Sequence, residues 1–380
     1  MTRVRIGVLG LGAVTQSVHL PLLARRWDLF EIAAVADLSA ERTTTVADRY
    51  GVAGRFTSRA DLVAAHTEGT CPLDAVLVAT TGTHGADVIA LTDAGLAVLA
   101  EKPLALAEAE IDAIDAAVAG GGRVQLGYMK EYDPATAGAA RALAGRQVRA
   151  VTVEILHPTS TAQLQFARLL PPAGDVDPDA LATAVAPTAT ALDQALGGDL
   201  EQRWRGLYEG VIIGSIVHDI SLLRHLGHPI TGVESAATWG ASDAGPGSVE
   251  VLGELASGAR LHLGWHFLPD YPDYRETVTF HHDGGSVSLV FSVPYLLNAP
   301  TVLTVVSRGE DGAEIRSEHR SSQQEAFENE LTAFHALVTS GEQPFSGPVE
   351  GRADLVVAQQ ILARLGQRHG FTPGGESAAH

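Results

Sequence analysis

Residues 99 to 104 read L-A-E-K-P-L and follow an apolar run, 94–100. A lysine at the end of a buried strand, beside a proline that cannot donate to a ladder, means either that the strand simply ends at the surface or that the lysine is presented to something. An ammonium there can donate to a substrate hydroxyl and lower its pKa by its charge. That makes Lys102 a candidate catalytic residue. Upstream, G-L-G-A-V-T spans residues 10 to 15. Gly10 allows a tight turn, and Gly12, with Ala13 and Val14, lets the backbone approach a pyrophosphate at the start of a helix. The third position of the usual glycine fingerprint is Thr15. Asp37 ends the next apolar run, where a carboxylate holds the ribose hydroxyls of an adenosine. A carboxylate there repels a 2′-phosphate, so the pattern favours NAD over NADP, with Arg42 one turn on pulling the other way. A-T-T-G-T-H, 79 to 84, offers small and hydroxyl residues at a third such edge. It adds Thr80, Thr81 and His84 as cofactor contacts, with Glu101 and Lys102 at a fourth.

These residues need a scaffold that brings strand ends together. Apolar runs at 4–9, 31–36, 55–57, 74–79, 96–100 and 123–127 alternate with helical patterns at 14–25, 40–50, 58–66, 83–94 and 105–119. Near-continuous V/I/L/A runs are the mark of strands buried on both faces. The alternation predicts a doubly wound parallel sheet, an α/β domain over 1–130.

After Pro134 the texture changes. A strand is predicted at 148–156 and a helix at 210–226. Alternating strands follow at 232–238, 248–254, 260–267, 275–282, 286–291 and 301–307, joined by short Gly, Pro and Asp turns. This predicts a second domain over 131–372 built on a large open, mostly antiparallel sheet, with helices at 324–338 and 352–368. A Pro/Ala-rich insertion is expected near 157–205, and residues 373–380 are expected to fray.

Composition narrows the partners. The 380 residues carry a formal net charge of −19 and are 46% hydrophobic. Nucleic acid and anionic membranes need a basic face, so neither is expected. One cysteine excludes an internal disulfide, and no His/Cys spacing for a metal is evident. The start, M-T-R-V-R-I-G-V-L-G, enters a strand pattern directly, with no leader expected. Apolar runs stay short of a membrane span. The expectation is a soluble cytoplasmic protein.

G-L-G-A-V-T-Q-S-V-H-L-P-L-L, E-K-P-L, L-G-Y-M-K-E-Y-D-P, I-V-H-D-I-S-L-L-R-H-L-G and F-E-N-E-L-T-A-F-H-A-L, taken in order, resemble the Gfo/Idh/MocA oxidoreductases. The resemblance implies a Rossmann domain followed by an open-sheet domain that often makes dimers or tetramers. It implies NAD(P)-dependent oxidation or reduction at a hydroxyl-bearing carbon of a sugar, cyclitol or glycoside. It assigns Lys102 as the catalytic lysine and His218 as the acid/base. It puts Tyr128, Lys130 and Tyr132 along the substrate, with Gly214 and Ser221 on the face of His218. Many members carry Asp where this chain has Gly214, which leaves two other readings open. One is redox-assisted glycoside cleavage with tightly held NAD. The other is a regulator that binds NAD or sugar without turnover.

Overall fold

The computed structural model describes residues 2–242, 245–320 and 323–380. The chain forms two compact units: 1–128 with 167–195 and 330–353, and 129–166 with 196–329 and 354–380. One division falls between Tyr128 and Met129. The expected insertion is divided, however, and 167–195 packs with the N-terminal unit.

The first unit holds six strands: β1 (Val4–Leu9), β2 (Phe30–Ala36), β3 (Gly54–Phe56), β4 (Ala75–Val78), β5 (Ala97–Glu101) and β6 (Val124–Gly127). They pair in the order β3-β2-β1-β4-β5-β6, all parallel. Every residue of β4, β5 and β6 is buried, as a sheet covered on both faces requires. The order reverses between β1 and β4, and ligands of such sheets bind at the carboxyl ends flanking that point. Helices α1 (Leu20–Arg25), α2 (Ala40–Tyr50), α3 (Arg59–Thr67), α4 (Gly85–Asp93) and α5 (Glu108–Ala119) connect the strands. Ser39 and Ser58 start α2 and α3 by accepting backbone N–H groups on their hydroxyls. Helix α1 is preceded by a wider π turn, Thr15–His19, rather than by one uniform helix.

The second unit holds eight strands: β7 (Val148–His157), β8 (Ile230–Trp239), β9 (Ser248–Leu255), β10 (Arg260–Phe267), β11 (Arg275–His282), β12 (Gly285–Phe291), β13 (Val302–Arg308) and β14 (Glu314–His319). Their order is β14-β13-β12-β11-β7-β10-β9-β8, antiparallel except for β7 beside β10. Strand β14 escaped the sequence reading because E-I-R-S-E-H is polar and almost wholly exposed. That is the usual character of an edge strand.

Two further expectations change. Residues 375–379 form a short 3₁₀ turn instead of fraying. Gly374 N–H donates to Leu196 O at 2.7 Å, and Arg364 donates to His380 O at 3.2 Å, so the tail is tied down. The helical run Gln202–His225 is long and apolar enough, by length and composition, to cross a membrane, against expectation. Of that window, 67% is buried in the protein, as in a core helix.

Candidate active site

The first unit carries the residues expected to meet a dinucleotide. Gly10 follows β1 with φ +90°, and an added Cβ would stand 2.5 Å from Ala79 O, past the end of β4. Only glycine fits that crossing. Thr15, in the third fingerprint position, is fully buried and donates to Gly10 O at 2.7 Å, which locks the turn. Gly12 has nothing within 4 Å of an added Cβ. Its own chain therefore does not require glycine there, whereas a pyrophosphate approaching the backbone does. Asp37 accepts from Leu11 N–H at 2.9 Å and from Ser39 N–H at 3.0 Å. These bonds hold its carboxylate at the ends of β1 and β2, with lone pairs left for ribose hydroxyls. Arg42 Nη1 is 3.7 Å from Asp37 Oδ2. These residues fit a dinucleotide.

The loop after β4 is less direct. Thr80 donates to Asp87 at 3.0 Å, and Thr81 is exposed. His84 corrects an expectation. It is 1% exposed, and its Nδ1 and Nε2 lie 2.6 and 3.0 Å from Pro103 O and Thr80 O. Both ring nitrogens are taken by backbone oxygens, so His84 ties the loop after β4 to the loop carrying Lys102. These contacts make it a residue that positions the two loops.

Glu101, the residue before Lys102, also positions the loop. Its Oε1 lies 2.7 Å from His19 Nε2, and its Oε2 accepts from Lys102 N–H at 3.2 Å. Burial pushes this carboxyl up, but the His19 bond and the charges of His19, Lys102 and His84 outweigh it and hold it below the usual carboxylate value. Lys102 itself is half-buried, with a cis peptide to Pro103. Tyr128, after β6, is buried.

The second unit carries His218, the residue that the resemblance gives as the acid/base. His218 is half-buried on the helix Val217–His225, which continues a π-helical stretch, Tyr208–Ile216. Gly214 lies in that stretch, and a Cβ there would stand 3.0 Å from Glu209 O. A side chain at 214 would thus press on backbone, which is a steric counterpart of glycine where the resemblance leads one to expect Asp. Ser221 corrects another expectation: it is fully buried and donates to His218 O at 3.0 Å, so it steadies the helix.

The segment 130–133 also differs from expectation. Lys130 is 6% exposed, and its Nζ donates to Glu276 and, at 3.3 Å, to Asp219. Glu276 also accepts from the Tyr274 hydroxyl at 2.6 Å. Lys130 therefore anchors β11 to the helix of His218 instead of presenting its charge to a substrate. Burial pushes Asp219 well up, reinforced by the Glu276 charge and only partly opposed by Lys130. Burial acts on Glu276 in the same sense, but the Lys130 charge and the bonds from Asp219, Lys130 and Tyr274 outweigh it and hold that carboxyl below its usual value. One buried cation thus faces two carboxyl groups, and it favours the charged form of Glu276 over that of Asp219. Next to it, Arg224 donates to Glu131 and to both oxygens of Asp354, each at 2.9 Å. Tyr132 is buried, and its carbonyl accepts from Asn329 at 3.0 Å.

Glu276 was not singled out from sequence, and Tyr274 was marked only as part of Y-P-D-Y, an aromatic surface for a sugar ring or a dimer interface, with ordinary sheet packing as the other reading. The only signal for Glu276 was an acidic residue inside an otherwise apolar-alternating strand. Among the described residues, no group of three or more His, Cys, Asp or Glu could hold a metal.

Residues 4–128 match the family described as an oxidoreductase family with an NAD-binding Rossmann fold, Gfo/Idh/MocA. An inositol 2-dehydrogenase from Saccharopolyspora erythraea is 41% identical over 133 residues, 34% of this chain and 37% of that protein. The chain thus aligns with little more than a third of the length of this relative. Among solved structures, an aldose-aldose oxidoreductase from Caulobacter crescentus, complexed with glycerol, superposes with a TM-score of 0.72 at 18% identity, covering 97% of this chain and 98% of that one. A 3-ketoreductase from Actinomadura kijaniata, in complex with TDP-benzene and NADP, gives 0.70 at 16% identity and 98% of both chains. At such identities the likeness establishes the fold over nearly the whole chain.

Proposed function

Starting from a chain whose N-terminal domain belongs to the Gfo/Idh/MocA oxidoreductase family, we propose an NAD-dependent dehydrogenase or reductase. It acts on a CH–OH carbon of a sugar or cyclitol. The observation that carries this reading is the pinned E-K-P loop at the end of β5. His19 holds Glu101, and His84 holds Pro103 O, so the residue between them is presented at the carboxyl edge where ligands of such sheets bind.

In this reading His218 takes the hydroxyl proton as the carbon-bound hydride leaves. Lys102 donates to the same oxygen and stabilises the charge that develops on it. Gly10, Gly12, Ala13 and Val14 receive the pyrophosphate, and Asp37 receives the ribose hydroxyls. The nicotinamide supplies the hydride acceptor when bound. Tyr128 and Tyr132 remain candidates for contact with the substrate ring. Asp37 is the basis for preferring NAD to NADP. The inositol dehydrogenase relatives support a cyclitol as the first substrate to try. Association of copies through the eight-stranded sheet belongs to the same reading and is tested by sedimentation at micromolar concentration.

The test is NADH formation at 340 nm with purified protein, NAD and a panel of cyclitols, sugars and glycosides, repeated with NADP. A substrate-dependent signal larger with NAD supports the reading. Silence across the panel while calorimetry shows NAD bound contradicts a net dehydrogenase. It favours a cofactor that is held and recycled, or binding without turnover.

A further inference from the structure

The segment 167–195 packs with the first unit. It meets that unit at three strand ends. Leu170 N–H donates to Gln16 Oε1 at 2.9 Å, just past the glycine turn after β1. Asp175 sits at the end of β2. Thr188 lies at the loop after β4, where it accepts from Thr83 N–H at 3.2 Å, and an added Cβ on Gly82 would fall 2.0 Å from its hydroxyl. These three loops are the ones along which a dinucleotide lies in a sheet of this order.

The middle contact is specific in its chemistry. Asp175 Oδ1 accepts from the Ser39 hydroxyl at 2.5 Å, and Oδ2 accepts from Glu41 N–H at 2.9 Å. Ser39 is the residue before α2, and Glu41 lies in its first turn. Asp37, two residues upstream of Ser39, is the carboxylate expected to hold the ribose hydroxyls. A phosphate carried on the 2′-oxygen extends from that point toward the donors that follow. Those donors are a hydroxyl and free N–H groups at a helix start, which suit an anion. In this chain a carboxylate from a segment 136 residues away in sequence already has them. Its two bonds, Ser39 first, hold Asp175 below the usual carboxylate value, so the competing anion is charged at neutral pH.

We propose that Asp175 is a specificity residue that occupies the place of a 2′-phosphate and makes the chain discriminate against NADP. The proposal rests on the NAD reading above. Asp37 alone disfavours the phosphate through repulsion, and Arg42 beside it softens that. Asp175 adds a second negative charge and removes the two donors a phosphate would use. It leaves Asp37 free to serve the ribose, because Asp37 is bonded to Leu11 N–H and Ser39 N–H and not to Asp175.

Asp175 is exposed, so its replacement empties no core position. The test measures NAD and NADP dissociation constants by calorimetry on the full chain, for wild type, Asp175→Ala and Asp175→Asn. Asp175→Ala frees both donors and leaves Arg42 in place. NADP is expected to bind at least tenfold tighter, with NAD changed less than threefold. Asp175→Asn keeps an acceptor for Ser39 but loses the charge, and is expected to fall between. An unchanged NADP:NAD ratio, with NAD still bound, overturns the role of Asp175 alone. Equal changes in both affinities also overturn it, since they mark a staple for the segment and nothing more. Failure of wild type to bind NAD overturns the cofactor reading beneath, and the proposal with it.

Discussion

His19 Nε2 lies 2.7 Å from Glu101 Oε1, and both side chains are buried. This pair fixes the end of β5 one residue before Lys102. It is also the reason a carboxylate is tolerated at the end of a buried strand.

The pair gives the fold a pH dependence of known sign. The folded state holds the Glu101 carboxyl below its ordinary value. Its contribution is therefore present above the ordinary carboxylate range and is lost as pH falls through the depressed value. Glu101→Gln is expected to cost about 2 kcal/mol at pH 7. The gap between wild type and variant should shrink as pH drops toward 3. Thermal melts of both proteins between pH 3 and 7 measure it, and a gap that widens in acid would contradict the assignment.

Lys130 is expected to be structural. Lys130→Met strands two buried carboxyl groups and should cost about 3–5 kcal/mol by urea unfolding. Adding Asp219→Asn and Glu276→Gln removes the stranded charge and should recover more than half of that loss. A single variant with wild-type stability would show that Lys130 is not holding the cluster.

Gly214 is expected to resist even the smallest side chain. Gly to Ala inside a helix ordinarily gains about 1 kcal/mol. Here the new Cβ meets Glu209 O at 3.0 Å, a backbone atom that cannot swing away. Gly214→Ala should show no rise in Tm. A clear rise would mean that the π-helical stretch gives way readily and that backbone crowding does not account for glycine at 214.

Much of the first unit was legible because β1, β2, β4, β5 and β6 are mostly buried and so read as near-continuous apolar runs. Gly10 and Asp37 were marked from sequence for the same reason: each ends such a run, and the turn chemistry is local. Three things were not. Lys130 meets Asp219 and Glu276 across 89 and 146 residues, and only folding pairs them. Asp175 reaches Ser39 from a Pro/Ala-rich segment with no periodicity to place it. His84 shares a block with hydroxyl residues suited to a cofactor, yet its ring turns to two backbone oxygens that no sequence pattern marks.

The role given to Lys102, donation from the pinned loop to the reacting oxygen, stands or falls on one comparison. Single-turnover NADH formation is measured in wild type and Lys102→Ala, on the best substrate of the panel, with NAD affinity determined for both. NAD affinity is expected to stay within about threefold, and the rate of hydride transfer to be lower by about 10²–10⁴-fold in the variant. Hydride transfer at the wild-type rate in Lys102→Ala, with NAD bound, would contradict the role.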